Sequence, residues 1–315
     1  GKDISEAGIG KGHHTLAYST CVAAVLGGLF LHYGYRNLTS DNLYATEIQE
    51  NGCWNFVEAF PSHELAYEQF YPLLGKEEVL AEYDNLCGSQ DGVKHVSDSL
   101  PEIHKNIVLI TIESLSADYF MAYGNDDDRT PNLDRLLGES LVFDNLYATG
   151  NRTVRGLEAV SLCTPPTAGE SVIKRPDNGG KFSTGSVLRD KGYSTTFIYG
   201  GDSYFDNMGV FFGNNSYDVF DKASYDQSAM LFSNIWGTCD EDSYREALGI
   251  FDRKSEEGNP FFAHIMTISN HRPYTYPDGR IEGNPMTRKA AVQYTDLAIG
   301  KFLEEAKTHE WFSNT

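Results

Sequence analysis

The sequence predicts an α/β domain, a central and mostly parallel sheet flanked by helices, preceded by a helical N-terminal segment. Residues 107–112 (IVLITI) are a near-continuous apolar run rich in β-branched side chains, the pattern of a strand buried on both faces. From Asn106 onward, strand-like and helix-like stretches alternate, which signals a sheet with helices on both sides. The 315 residues, 40% apolar and 13% aromatic, suffice for one large core with an appendage and exclude general disorder.

Taken in order, residues 1–14 (GKDISEAGIGKGHH) are Gly-rich and polar and read as a flexible end. Residues 16–31 (LAYSTCVAAVLGGLFL) are the one stretch suited to touching a membrane, although shorter than the ~20 residues a span needs. They read either as a surface or core helix or as the tail of a membrane segment. SDNLYATEIQENG and SHELAYEQFYPLL have helical spacing, separated by the breaker Asn51-Gly52 and by Pro61. Residues 75–101 are a polar, acidic linker with a short helix at 76–83. Three regions result: 1–41, 42–101 and the α/β domain from 102 to 315. Within the last, strands are expected at 107–113, 141–145, 194–200 and 260–267. Helices are expected at 131–139, 155–163, 184–191, 241–254 and 286–307. Thr130-Pro131 is a helix start, with Thr as the cap, Pro in the first position and Asp134 in the first turn. Asp240-Glu241-Asp242 opens another helix, as acids in a first turn do.

A net charge of −20 excludes nucleic acid as a partner and disfavours broad docking on anionic lipid. A local basic pocket from Arg152, Arg155, Lys174 and Arg175 would still receive one anionic head group. The five cysteines show no CxxC or CxxH spacing, so a zinc site of that kind is excluded. One or two disulfides among Cys53, Cys87, Cys163 and Cys239 would suit an exported enzyme, but spacing chooses no pairing.

Chemistry concentrates where the apolar runs end. In open α/β sheets the ligand site lies beyond the carboxyl ends of the strands. Glu113 sits there, placed to hold a cation or act as a base. Some forty residues on, GNRTVRG (150–156) runs into LEAVSL, which has helical spacing. Thr153 therefore stands at a helix start, where unpaired N–H groups and the helix dipole favour an anion such as phosphate. Arg152 and Arg155 flank it, and Arg155, two residues on, is the favoured phosphate contact. The loop IYGGDSYFDNM (198–208) follows a strand directly and offers Tyr199, Asp202 and Asp206. His271 lies just past the strand FFAHIMTI, whereas His264 inside that strand reads as a satisfied core histidine.

Six motifs in order, IVLITIESLSADY, TPNLD, ATGNRTVRG, KRPDN, FIYGGDSYFDNM and HIMTISNHRPY, resemble the lipoteichoic-acid-synthase/phosphoglycerol-transferase branch of the sulfatase-like, alkaline-phosphatase superfamily. The resemblance implies a divalent metal on Glu113 and Thr153, Mn²⁺ first, with Mg²⁺ or Zn²⁺ as alternatives. It further implies that Thr153 is the nucleophile and carries a phosphoglycerol, with His271 contacting the substrate phosphate or assisting the leaving group. The implied donor is a phospholipid head group like that of phosphatidylglycerol, and the acceptor a glycan or glycerol phosphate. The implied setting is the bacterial cell envelope, on the periplasmic or extracellular face of the inner membrane, with membrane helices before the catalytic domain. Departures accompany it. Threonine cannot become formylglycine, so sulfate-ester hydrolysis by that route is not expected. Tyr199 stands where relatives place a His, and their Trp-x-Arg is missing from this loop. The Asp-His pair that supplies two further metal ligands occurs nowhere in the 315 residues, so the catalytic domain is expected to be C-terminally incomplete. A phosphodiesterase, a phosphoethanolamine-type transferase and a catalytically incomplete binding domain are the alternatives.

Overall fold

The computed structural model describes residues 11–36, 42, 45, 48, 52–59, 71–97, 99–283 and 286–315. It divides into two compact units, Gly1–His63 and Glu64–Thr315. In the first, helix α1 spans Lys11–Arg36 and α2 spans Gly52–Ala59. The helix α1 starts within the stretch expected to be a flexible end, and its 26 residues give a length of about 39 Å. Its segment His14–Leu31 is long and apolar enough to cross a membrane, and none of it is buried. Leu16, Val22, Val25, Leu26, Phe30 and Leu31 are all exposed, so the core-helix alternative is not realised among the described residues. Ser19 and Thr20 donate their hydroxyls back to the Leu16 carbonyl at 2.9 and 2.8 Å, which accommodates two polar residues in an apolar helix.

The helix α2 begins at Gly52, where a break was expected; Cys53, Phe56 and Val57 restore apolar residues at three- and four-residue spacing. Of the two helices expected on either side, residues 45 and 48 are helical, 71–75 are irregular, and residues 62–70 lie outside the described residues. Helix α3, Lys76–Cys87, runs longer than expected and stops at Gly88, which takes the left-handed conformation (φ 60°).

The second unit holds a parallel sheet of β1 (Ile107–Thr111), β2 (Ser194–Tyr199), β3 (Asp218–Asp221) and β4 (Phe261–Met266), in the order β1-β4-β2-β3. The strand β4 is central: Ile107 lies opposite Phe262 on one side, and Ser194 opposite Phe261 on the other. Its side chains alternate between two cores, as the two-residue period of a strand requires. Phe261, Ala263 and Ile265 pack with Ile198 against α8 (Asp240–Glu256) and α9 (Arg288–Ala306). Phe262 and Met266 pack with Phe197 and Tyr199 against α5 (Thr153–Leu162), α6 (Thr184–Asp190) and α7 (Met208–Asn214). The remaining helix, α4, spans Pro131–Leu137.

Two expectations fail for opposite reasons. Residues 141–145 form no strand, and Leu141 and Phe143 are exposed: apolar alternation favours burial but supplies no pairing partner. The strand β3 was not foreseen because its four residues, DVFD, are too short and too charged to stand out. The start of α4 also differs. Thr130 makes no side-chain cap; its single hydroxyl proton is shared between Asp134 at 2.7 Å and the Tyr119 carbonyl at 3.1 Å. The N–H groups of Asn132 and Leu133 are accepted instead by Asp296 of α9, at 3.1 and 2.8 Å. Among the cysteines, Cys87, Cys163 and Cys239 are free thiols.

His264 is fully buried in β4, edge-on to Phe197 and Phe212, with Nε2 2.7 Å from the Thr111 hydroxyl. Burial pushes its pKa down to about 3, so the folded protein holds it neutral. The unfolded chain protonates the same group near its ordinary value of 6.5. Its contribution to stability is therefore intact above pH 6.5 and is lost as pH falls toward 3, at about 1.4 kcal/mol per pH unit. Denaturant midpoints between pH 7 and 5 should fall less steeply in His264→Gln than in the wild type, by the equivalent of one proton. Equal slopes would show that His264 is charged in the fold.

Candidate active site

The carboxyl ends of β1, β2 and β4 open onto a cleft of ≈ 340 Å³ whose walls include Glu113, Arg152, Thr153, Tyr199, Asp206 and His271. Glu113 lies two residues past β1, and its backbone is fixed from the segment after β4. Its N–H donates to the Thr267 hydroxyl at 2.9 Å, and its carbonyl accepts from the fully buried Asn270 amide at 3.0 Å. The carboxylate is thereby presented on a rigid backbone. Ser114, at φ 51°, donates its hydroxyl to Oε1 at 2.6 Å. The Thr153 hydroxyl donates to Oε2 at 2.9 Å.

Thr153 is the first residue of α5, with Arg152 extended before it and making no side-chain cap. The Thr153 and Val154 N–H groups therefore lie beside the hydroxyl, ready for an anion, whereas the Arg155 N–H donates to the Arg152 carbonyl at 3.0 Å. The two arginines part company here. Arg152 lines the cleft, whereas Arg155 donates Nη1 to Glu158 Oε1 at 3.0 Å and Nη2 to the Gly169 carbonyl. Glu158 is itself buried and accepts from the Val172 N–H at 2.6 Å, so Arg155 braces the loop behind α5. Arg175 bonds to the Glu170 carbonyl.

The loop after β2 contributes Tyr199 and Asp206. Tyr199 is buried, and burial first, with the Glu113 and Asp206 carboxylates adding to it, raises its pKa well above the ordinary phenol value. It remains a neutral hydrogen-bond donor. Asp206 and Asn207 both take left-handed conformations (φ 53° and 61°), and Asp206 pairs with Lys174 at 2.9 Å. Asp202 sits outside the cleft, accepting the Tyr204 N–H at 2.9 Å. The loop is pinned by Asp221 of β3, which accepts from the Ser203 N–H and hydroxyl at 3.1 and 2.6 Å.

His271 closes the opposite wall. Its Nδ1 is 2.9 Å from the Arg272 carbonyl, which can only accept, so Nδ1 carries the proton and Nε2 is left as the other proton-handling atom. The Trp236 ring packs 4.2 Å from the imidazole. Trp236, Ser114, Thr267 and Asn270 belong to the site but were not singled out from sequence. Thr267 and Asn270 could have been found by extending the strand-end rule to every residue between β4 and His271. Trp236 arrives on a loop with no such signal.

The donors present suit a hard divalent cation in type, with a carboxylate and a hydroxyl converging at 2.9 Å. Among the described residues no group of three His, Cys, Asp or Glu side chains converges, so these two would be part of a fuller ligand set.

Phosphoglycerol transferase I of Citrobacter koseri is 27% identical over 244 residues, 70% of this chain and 31% of that protein. The Escherichia coli protein of the same name is 26% identical over the same proportions. The chain thus spans about a third of the length of the curated relatives it matches. A crystal structure of a protein in the alkaline phosphatase superfamily from Vibrio parahaemolyticus superposes with a TM-score of 0.71 at 35% identity, covering 79% of this chain and 64% of that one. The lipoteichoic acid synthase LtaP from Listeria monocytogenes shares the fold, with a TM-score of 0.61 at 20% identity over 72% of this chain and 58% of its own. The sulfatase family model matches residues 105–315, the whole stretch from β1 onward, and the chain belongs to the sulfatase family.

Proposed function

We propose that this protein transfers phosphoglycerol from a phospholipid such as phosphatidylglycerol to an acceptor hydroxyl, through a covalent intermediate on Thr153. The 2.9 Å contact between the Thr153 hydroxyl and Glu113, at a helix N-terminus in a cleft shared with His271, is the observation that supports it most. The names of the matched relatives point the same way. In the first step the Thr153 hydroxyl passes its proton to Glu113 as its oxygen forms a bond to phosphorus, the bond from phosphorus to the diacylglycerol oxygen breaks, and His271, entering the step as the imidazolium, gives that oxygen the proton on Nε2. In the second, an acceptor oxygen attacks the phosphorus, its proton passes to His271 Nε2, the bond from phosphorus to the Thr153 oxygen breaks, and that oxygen takes its proton back from Glu113. Arg152, the Tyr199 hydroxyl and the Thr153 and Val154 N–H groups at the start of α5 neutralise the phosphoryl oxygens, and Asp206 meets the glycerol hydroxyls. A divalent cation held by Glu113 and Thr153, Mn²⁺ first among the candidates, would lower the hydroxyl pKa and offset phosphate charge. Such an enzyme works at the bacterial cell envelope, and α1 is suited to anchor it there.

Rapid quenching of the full-length protein with head-group-labelled phosphatidylglycerol tests the intermediate. The peptide containing Thr153 should carry the label, and label on no peptide at all would sink the covalent route. A second check concerns His271. His271→Gln should slow diacylglycerol release from phosphatidylglycerol by about 10²–10³-fold, yet barely slow the first-turnover burst of phenolate from an aryl phosphoglycerol ester, whose leaving group needs no proton. Equal losses with both substrates would remove the acid role.

A further inference from the structure

The two carboxylate oxygens of Glu113 meet two different hydroxyls. Ser114 donates to Oε1 at 2.6 Å, and Thr153 donates to Oε2 at 2.9 Å. The first contact joins neighbours in sequence, and an extended strand does not allow that, because its successive side chains leave on opposite faces. Ser114 reaches Oε1 from a left-handed backbone, at φ 51°. That conformation suits glycine and asparagine and strains a serine.

The strained corner is held from outside on several sides. Arg288, the first residue of α9, donates Nη2 to the Ser114 carbonyl at 3.0 Å, and its guanidinium lies over the Tyr119 ring, 5.7 Å from the centroid. Thr267 and Asn270 hold the two backbone polar groups of Glu113. Strain that the surroundings over-determine in this way is the kind found where a side chain has work to do. A glycine would satisfy this backbone at less cost, so the serine is there for its hydroxyl.

The hydroxyl makes the two carboxylate oxygens unequal. A hydrogen bond this short to an ionised oxygen is charge-assisted, draws negative charge from Oε1 and fixes the carboxylate rotamer. Oε2 is left as the stronger donor, and it is the oxygen that faces Thr153. Hard cations differ in their response to such a ligand. Ca²⁺ takes roughly six to eight oxygens at about 2.3–2.6 Å, often two from one carboxylate, whereas Mg²⁺ takes a near-octahedral set at about 2.0–2.1 Å and keeps several waters. Mn²⁺ shares the octahedral preference. Glu113, Ser114 and Thr153 also open on an adjoining recess of ≈ 260 Å³, space for the water a small cation keeps.

We propose that Ser114 is a specificity-determining residue, whose hydroxyl restricts Glu113 to one-oxygen coordination through Oε2 and so selects a small octahedral cation over Ca²⁺. This rests on the cation reading above and not on the covalent route.

The test is calorimetric titration of the full-length protein, stripped with a chelator, with Mn²⁺ and separately with Ca²⁺. Glu113→Gln identifies the heat that belongs to this site. The wild type should prefer Mn²⁺ by at least about 10²-fold, and both Ser114→Ala and Ser114→Gly should narrow that ratio about tenfold, chiefly by tightening Ca²⁺. Ser114→Gly relieves the backbone, so it should fold at least as stably as Ser114→Ala, and its loss of preference is then no sign of damage. An unchanged ratio in both variants overturns the proposal and leaves the cation reading standing. A ratio altered by glycine and not by alanine also overturns it, since backbone conformation would then set the preference. Wild-type protein with no Mn²⁺ binding that depends on Glu113 overturns both the proposal and the cation reading. Labelling of Thr153 by head-group-labelled phosphatidylglycerol, on the same preparation, shows separately whether the transfer reading survives.

Discussion

Thr153→Ala should reduce phosphoglycerol transfer by at least about 10⁴-fold, to the background of phosphodiester cleavage without a protein nucleophile. Among the described residues no other hydroxyl is placed equivalently. Ser114 also bonds to Glu113, but it is exposed and stands at the end of β1 rather than at a helix start. The substitution removes one hydrogen bond to a half-buried carboxylate, so the fold should lose no more than about 1 kcal/mol. Activity and stability must therefore separate, and a denaturation midpoint lowered by no more than that small loss accompanies the inactive variant. Thr153→Ser retains the hydroxyl and should keep measurable turnover, lower because the β-methyl no longer restricts its rotamer. Turnover by Thr153→Ala at the wild-type level would mean that phosphate goes directly from donor to acceptor. Label transfer to no residue would then be expected as well.

Asp240→Ala should be the most damaging single change to the scaffold, costing about 3–5 kcal/mol in denaturant unfolding. Asp240 is fully buried at the first position of α8, and Oδ1 accepts the N–H groups of Ile268 and Ser269 at 2.9 and 3.0 Å. Its own N–H goes to the Ser269 hydroxyl at 3.0 Å. Alanine leaves two buried backbone donors with nothing to meet. Those donors belong to the segment that holds Asn270 and His271, so substrate affinity and rate should fall together in whatever fraction remains folded. Asp240→Asn keeps an oxygen at the same place and should cost much less. Burial raises the Asp240 pKa, which means the interior resists its charge, and a neutral amide escapes that resistance. If Asn proves as harmful as Ala, the charge rather than the oxygen holds the loop.

The central fold was legible because three of the four strands announce themselves as apolar runs and most helices keep their spacing. Glu113, Thr153 and His271 were legible for a related reason: each follows directly on such a run or opens such a helix, and the structure brings all three to one cleft. What escaped depends on distance. Arg155 and Arg152 look alike in sequence, and only the buried Glu158, together with the Gly169 carbonyl, turns one of them away. Asp296 caps a helix 164 residues earlier, which no local pattern around Thr130 could announce. Exposed Leu141 and Phe143 mark the reverse case, where local composition promised a strand that finds no neighbour.

The central place of β4 also sets an order of events on the ribosome. Among the described residues the strand β1 pairs only with β4, and Asn106, just before it, accepts the N–H of Phe261, 155 residues later. At ordinary synthesis rates the apolar run of β1 therefore waits roughly 8–30 s for its partner. During that interval the most hydrophobic segment of the domain has an unpaired backbone and no sheet to enter, the condition under which nascent chains associate with one another. Glu113 and Thr153 cannot acquire their final spacing until the segment after β4 arrives to clamp the Glu113 backbone. Competence for chemistry is thus a late acquisition, set by the arrival of the segment after β4.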